Sequence, residues 1–240
     1  MGIMVSEQKA VSLNDSHEDG VDTSVEANPT HSFIKGLHVH HIFSRNGKGK
    51  RRDDGNPLIH ALKGQKSFTI TQHWKSQLFN RAVEILAKMP HELRDFDQCI
   101  AVPSSSPFCR ECAQLISGAL GVPLLEGQTL HKKLIGEVLA DIASNPPKVR
   151  PGLKNDYTTQ LNTWQQADPA AICQAKLVET SIRPLFDFLK PAKDLPELVG
   201  KRLILIDDIM SSGSSMLSGR AILANQLGAE VQGVTFLGRV

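Results

Sequence analysis

The stretch Leu203–Met216, LILIDDIMSSGSSM, runs four branched aliphatic residues into two adjacent aspartates, then Ile209 and Met210, then five small residues of which four are serine. A short apolar run with no polar alternation, bounded by turn residues, reads as a strand buried on both faces. Asp207 and Asp208 fall at its carboxyl end, the place where open α/β sheets receive their ligands. The small residues that follow lead into an apolar pattern from about Ser214 to Leu227 that reads as a helix ended by Gly228.

The loop has a chemistry of its own. Ser211, Ser212, Gly213, Ser214 and Ser215 let backbone close around a ligand, and Gly213 is free to take positive φ. Unpaired N–H groups at a helix start, with its partial positive charge, form a nest for phosphate that needs no lysine. No GKS or GKT follows, which excludes an NTP-binding P-loop, and no GxGxxG, which excludes a dinucleotide turn. Two carboxylates just before a monophosphate nest reach the vicinal hydroxyls of a pentose and stabilise positive charge developing at an anomeric carbon. The combination points to a ribose 5-phosphate carrying a leaving group.

The rest of the chain sets bounds. Its 240 residues, 40% apolar, suffice for one large domain or a domain with an appendage. A net charge of +2 from 27 basic and 25 acidic residues calls for neither nucleic acid nor an anionic membrane, so an anion must be gripped locally. Four scattered cysteines make no disulfide framework. The start MGIMVSEQKA lacks a signal peptide's apolar core, and no apolar run approaches the roughly 20 residues of a membrane span. The expectation is a soluble, cytoplasmic protein with no membrane partner.

Along the chain, residues 1–30 are polar and acidic without a sustained period and read as a disordered tail. Residues 31–94 read as an N-terminal hood: a strand or two, a basic turn at Lys48–Arg52, a short helix over Asn56–Lys66 and an amphipathic helix over Trp74–Met89 stopped by Pro90. Residues 95–240 alternate strands and helices: a strand at 98–102, a helix at Phe108–Leu120 closed by Gly121, a strand in GVPLL, helices at 130–143 and 170–189, then the opening stretch and a last strand in EVQGVTFL. That alternation predicts an α/β fold with a mainly parallel sheet of five or six strands and helices on both faces.

With these residues in view, LILIDDIMSSGSS resembles the 5-phosphoribosyl-1-pyrophosphate (PRPP) signature of type I phosphoribosyltransferases. NPLIHALKG and CIAVPSSSPFCRECAQLISGALGVPL are similar to upstream segments of the competence protein F-like branch, so the resemblance spans about residues 56–240. It implies a Rossmann-like phosphoribosyltransferase fold in which Asp207 and Asp208 hold the ribose hydroxyls and Ser211, Ser212, Gly213, Ser214 and Ser215 the 5-phosphate. It implies a pyrophosphate site at Ser104 and Ser105 with Lys63 and Arg110, and Mg2+ held mainly through PRPP rather than by direct protein ligands. A mobile lid is implied in the basic segment Lys148–Lys154, where Arg150 and Lys154 would act on the reacting centre, with His131, Lys132 and Lys133 near its base. The implied activity is transfer of the phosphoribosyl group to or from a nitrogenous base through an oxocarbenium-like state, in a homodimer.

Two other readings stay open: a regulator that binds PRPP or a nucleoside monophosphate without turnover, and an effector of the retron type in bacterial antiphage defence, with a protein or nucleic-acid partner. Serines replace the usual threonines, the pyrophosphate loop holds no cation, and the segment from Gln128 to Thr180 is long for the family. Cys109 and Cys112 form a lone CxxC, read as buried thiols before zinc ligands; His38, His40 and His41 could join such a site, but alternating histidines on a strand read first as the wet face of a sheet. Trp74 and Trp164 read as packing residues before stacking platforms.

Overall fold

The computed structural model describes residues 1–15, 20–45, 56–127, 129–192 and 195–239. In chain order the elements are β1 (Gly2–Val5), β2 (Ala10–Asn14), β3 (Val21–Asp22), β4 (Thr30–Ile34), β5 (Leu37–Arg45), α1 (Pro57–Leu62), β6 (Thr69–Ile70), α2 (Gln72–Ala87), β7 (Gln98–Ala101), α3 (Pro107–Leu120), β8 (Leu130–Lys132), α4 (Ile135–Ser144), α5 (Lys154–Gln165), β9 (Leu189–Pro191), β10 (Arg202–Ile209), α6 (Ser214–Leu227) and β11 (Glu230–Arg239).

The apolar run Leu203–Ile206 lies in β10 with all four side chains fully buried. Successive strand residues face opposite sides, so Ile204 and Ile206 join a core built with α2 and α3, while Leu203 and Leu205 join one built with α6. β10 pairs in parallel with β7 and β11, and β11 pairs in parallel with β5. β3 and β4 add to the far side of β5 in antiparallel sense. Elsewhere β1–β2 and β8–β9 are antiparallel and β2–β6 parallel. The fold is α/β, but its sheets are mixed rather than clearly mainly parallel: in the six-stranded sheet β5, β11, β10 and β7 run parallel while β3 and β4 are antiparallel to β5.

The described residues of 1–30 form strands rather than a tail. β1 to β3 place Ile3, Val11, Leu13 and Val21 in the α2–α3 core. The alternation in AVSLN is only two apolar residues deep, which hides a half-buried strand among polar neighbours. Of the segment 31–94, β5 is registered along β11 from Val39 to Arg45 and so belongs to the main sheet. The turn Lys48–Arg52 lies outside the described residues.

Local rules explain the helix bounds. Thr71, Ser106 and Asn56 each accept a hydrogen bond from the first turn they cap. Gly121 and Gly228 end α3 and α6 with left-handed φ of 72° and 63°. The expected helix over 170–189 does not form; 3-10 turns at Ala175–Leu177 and Arg183–Leu185 stand there before β9. Pro184, which lacks an N–H, interrupts it. GVPLL contributes one isolated bridge, Cys99 with Leu124. Between β8 and β9 the chain builds a third core around Val138, Trp164, Phe186 and Phe188, with Trp164 packed edge-on to Phe186 at 4.8 Å, as a packing residue. Among the described residues no helix is long and apolar enough to cross a membrane.

Candidate functional site

The site forms where β10 outruns its neighbour. β7 ends at Ala101 opposite Ile206, so Asp207 and Asp208 lie on β10 beyond the end of β7. Asp208 is buried, and the Lys63 ammonium straddles its carboxylate at 2.8 Å from Oδ1 and 2.7 Å from Oδ2. Lys63 is delivered by α1, a short helix begun by Asn56 and Pro57 and followed by Gly64 with φ 61°. The Asp207 carboxylate curls back so that Oδ1 accepts the Asp208 N–H at 2.9 Å. Burial first, then the Asp208 charge, push the Asp207 carboxyl up to about 8, against the pull of Lys63.

Cys109, in the first turn of α3, completes this corner. Its thiol donates to the Val102 carbonyl at 3.4 Å, and its sulfur and one oxygen of each aspartate lie within 4.8 Å of one another. Burial and then the two aspartates push the thiol up, so it stays protonated. A neutral thiol and a carboxylate already spanned by Lys63 cannot by themselves cage a hard, octahedral ion such as Mg2+. The histidines do not join Cys109. His40 bonds Gln232, and His41 bonds Thr235 and Ser32 across the sheet. Burial first, then His40 and His31, hold His41 at about 4.

The serine loop follows. Gly213 has φ 72°, a left-handed conformation that favours glycine, and a Cβ there would stand 2.6 Å from Ile34 Cδ1, which would have to shift. The Ser212 and Ser214 hydroxyls bond each other at 2.8 Å. The cation missing from the sequence comes from elsewhere: Arg183, only 6% exposed, donates from Nη1 to Ser211 Oγ at 3.1 Å. The Lys132 amine, half-buried on β8, is held below its usual value by burial and then Lys176, while Asp207 and Asp208 pull it back up. It therefore lies within electrostatic reach of the acidic pair.

The other expected residues are placed less centrally. Ser104 and Ser105 are exposed on the loop beside the pair, and Ser104 Oγ accepts the Ser106 N–H at 3.2 Å. Arg110 pairs with Glu126 at 2.9 Å in the open. Lys133 is taken by Asp141 and Asp187. Arg150 precedes a 3-10 turn and Lys154 opens α5; both are exposed, and among the described residues neither contacts the acidic pair. Arg183 and the placement of Lys132 against the acids escaped sequence reasoning. Arg183 sits 28 residues before its partner in a segment whose composition reads as helix, and it carries no local signal.

No family model matches the chain, and no curated protein matches it. Among solved structures, adenine phosphoribosyltransferase from Leishmania tarentolae is similar over 99% of this chain and 94% of that one, at 11% identity and a TM-score of 0.34. A likeness of that score assigns neither fold nor activity.

Proposed function

We propose that the chain binds Mg2+-PRPP at the end of β10 and transfers its 5-phosphoribosyl group to or from a nitrogenous base. The observation that carries this reading is the adjacency of an acidic pair, whose buried member Asp208 is held by Lys63, to a glycine-kinked hydroxyl loop at a helix start. Asp207 and Asp208 hold the ribose hydroxyls, and Ser211 to Ser215 hold the 5-phosphate through hydroxyls and α6 N–H groups. Ser104, Ser105 and Lys63 meet the pyrophosphate. Arg110 reaches it by leaving Glu126, which costs little because exposed ion pairs contribute about 0–1 kcal/mol. Mg2+, when bound with PRPP, supplies charge neutralisation at the pyrophosphate oxygens. The Asp208 carboxylate, joined by Asp207 once the bound cation draws off its proton, stabilises the positive charge of an oxocarbenium-like state, and Arg150 and Lys154, moved over the centre, exclude water and stabilise the leaving group.

One observation favours the non-catalytic alternative, a PRPP or nucleotide sensor: Arg150 and Lys154 stand exposed and apart from the acids. Pyrophosphate release separates the two. Incubated with Mg2+, PRPP and a panel of purines, pyrimidines and a metabolite extract, a transferase releases pyrophosphate with one acceptor and loses that release when Arg150 and Lys154 are neutralised. PRPP binding with no release on any acceptor overturns the transferase and leaves the sensor.

A further inference from the structure

Arg183 is a permanent charge in a place where charge is costly. It is 6% exposed, and its guanidinium is fixed by two donations to one backbone carbonyl, Nε to Val178 O at 3.1 Å and Nη2 to the same oxygen at 2.7 Å. A planar fork held on one side has no freedom on the other, so Nη1 is aimed at Ser211 Oγ, 3.1 Å away. The scaffold that fixes the fork is the third core, where Val178, Ile182 and Phe186 are buried around the 3-10 turn.

The consequence falls on the hydroxyl. A serine oxygen that accepts from a cation keeps its single hydrogen for another acceptor, and the cation polarises that O–H. Ser212 and Ser214 spend hydrogen bonding on each other, whereas among the described residues the Ser211 hydroxyl hydrogen has no acceptor. Ser211 is thus the loop hydroxyl that a cation prepares to donate outward, and what it donates to is favoured when anionic.

We propose that Arg183 is a positioning residue that turns Ser211 into a charge-assisted donor for the phosphate of the ligand, supplying from the β8–β9 insertion the positive charge the loop's own sequence lacks. This rests on the reading that the serine loop takes a 5-phosphate. It ties the long insertion, through its core, to phosphate binding.

The test is a double-mutant cycle on the full chain, with ribose 5-phosphate affinity read by calorimetry for the wild type, Arg183→Gln, Ser211→Ala and the double variant. Loss of a charge-assisted hydrogen bond weakens each single variant by roughly 10- to 100-fold. Because one residue acts through the other, the double variant binds no more weakly than the weaker single one, and Arg183→Lys recovers part of the loss. Unchanged affinity in Arg183→Gln, or losses that multiply in the double variant, overturn the proposal, since a merely structural arginine gives the second pattern. Where Arg183→Gln fails a thermal-melt check of folding, Ser211→Ala decides alone, and unchanged affinity there overturns it. A wild type that binds neither ribose 5-phosphate nor PRPP overturns the phosphate reading and this proposal with it.

Discussion

The acidic pair and the serine loop are neighbours in sequence and opposites in construction. The pair is two carboxylates, one of them buried against a lysine 145 residues away, whereas the loop is a set of neutral hydroxyls backed by a guanidinium from 28 residues upstream. In each, the local sequence supplies one sign of charge or none, and a distant segment supplies the complement. Reading along the chain therefore finds one half of the candidate site and misses the half that makes burying it tolerable.

The comparison breaks first at Asp208. Its Asp208→Ala variant leaves Lys63 in place without its carboxylate, and removing one partner of a buried pair costs about 3–5 kcal/mol. A melting temperature lower by roughly 10 °C is expected in differential scanning calorimetry. The loop gives a smaller response: Gly213→Ala combines a left-handed φ with contact against Ile34 and costs roughly 1–3 kcal/mol, measured in urea.

A pH series sharpens the contrast. The Asp207 carboxyl stands at about 8 folded against about 3.9 unfolded, so the folded chain keeps a proton that the unfolded chain has released, and stability falls as pH rises through that window. Asp207→Asn removes this slope and raises the melting temperature at pH 8 by a few °C, at the expense of ligand affinity. His41 works in the other direction. Its ring stays neutral to about 4, so its contribution is present above about 6.5 and is lost as pH falls toward 4. The smallest effect is at Arg110→Ala, within about 0.5 kcal/mol, because its ion pair with Glu126 is open to water.

Legibility followed the same division. β10, α3 and α6 were readable because apolar runs, Ser106, Gly121 and Gly228 speak through local rules, and the acid pair was readable because it interrupts a buried strand. Lys63 was expected at the pyrophosphate and is found spanning Asp208. β1 to β3 were not readable, since their core contribution is single residues in polar company. The helix over 170–189 was over-read from composition: Pro184 and the demands of the third core break it into turns. Arg183 had no local signal because its meaning lies in a partner the chain reaches only after folding.

The central claim is that the acidic pair is the ribose grip of a PRPP site. Calorimetric titration of Mg2+-PRPP into the wild type and into a folded Asp207→Asn, Asp208→Asn double variant tests it most directly. Neutral amides cannot reproduce charge-assisted acceptance from two hydroxyls, so the double variant should bind at least about 100-fold more weakly. Equal affinity in the two proteins would contradict the assignment.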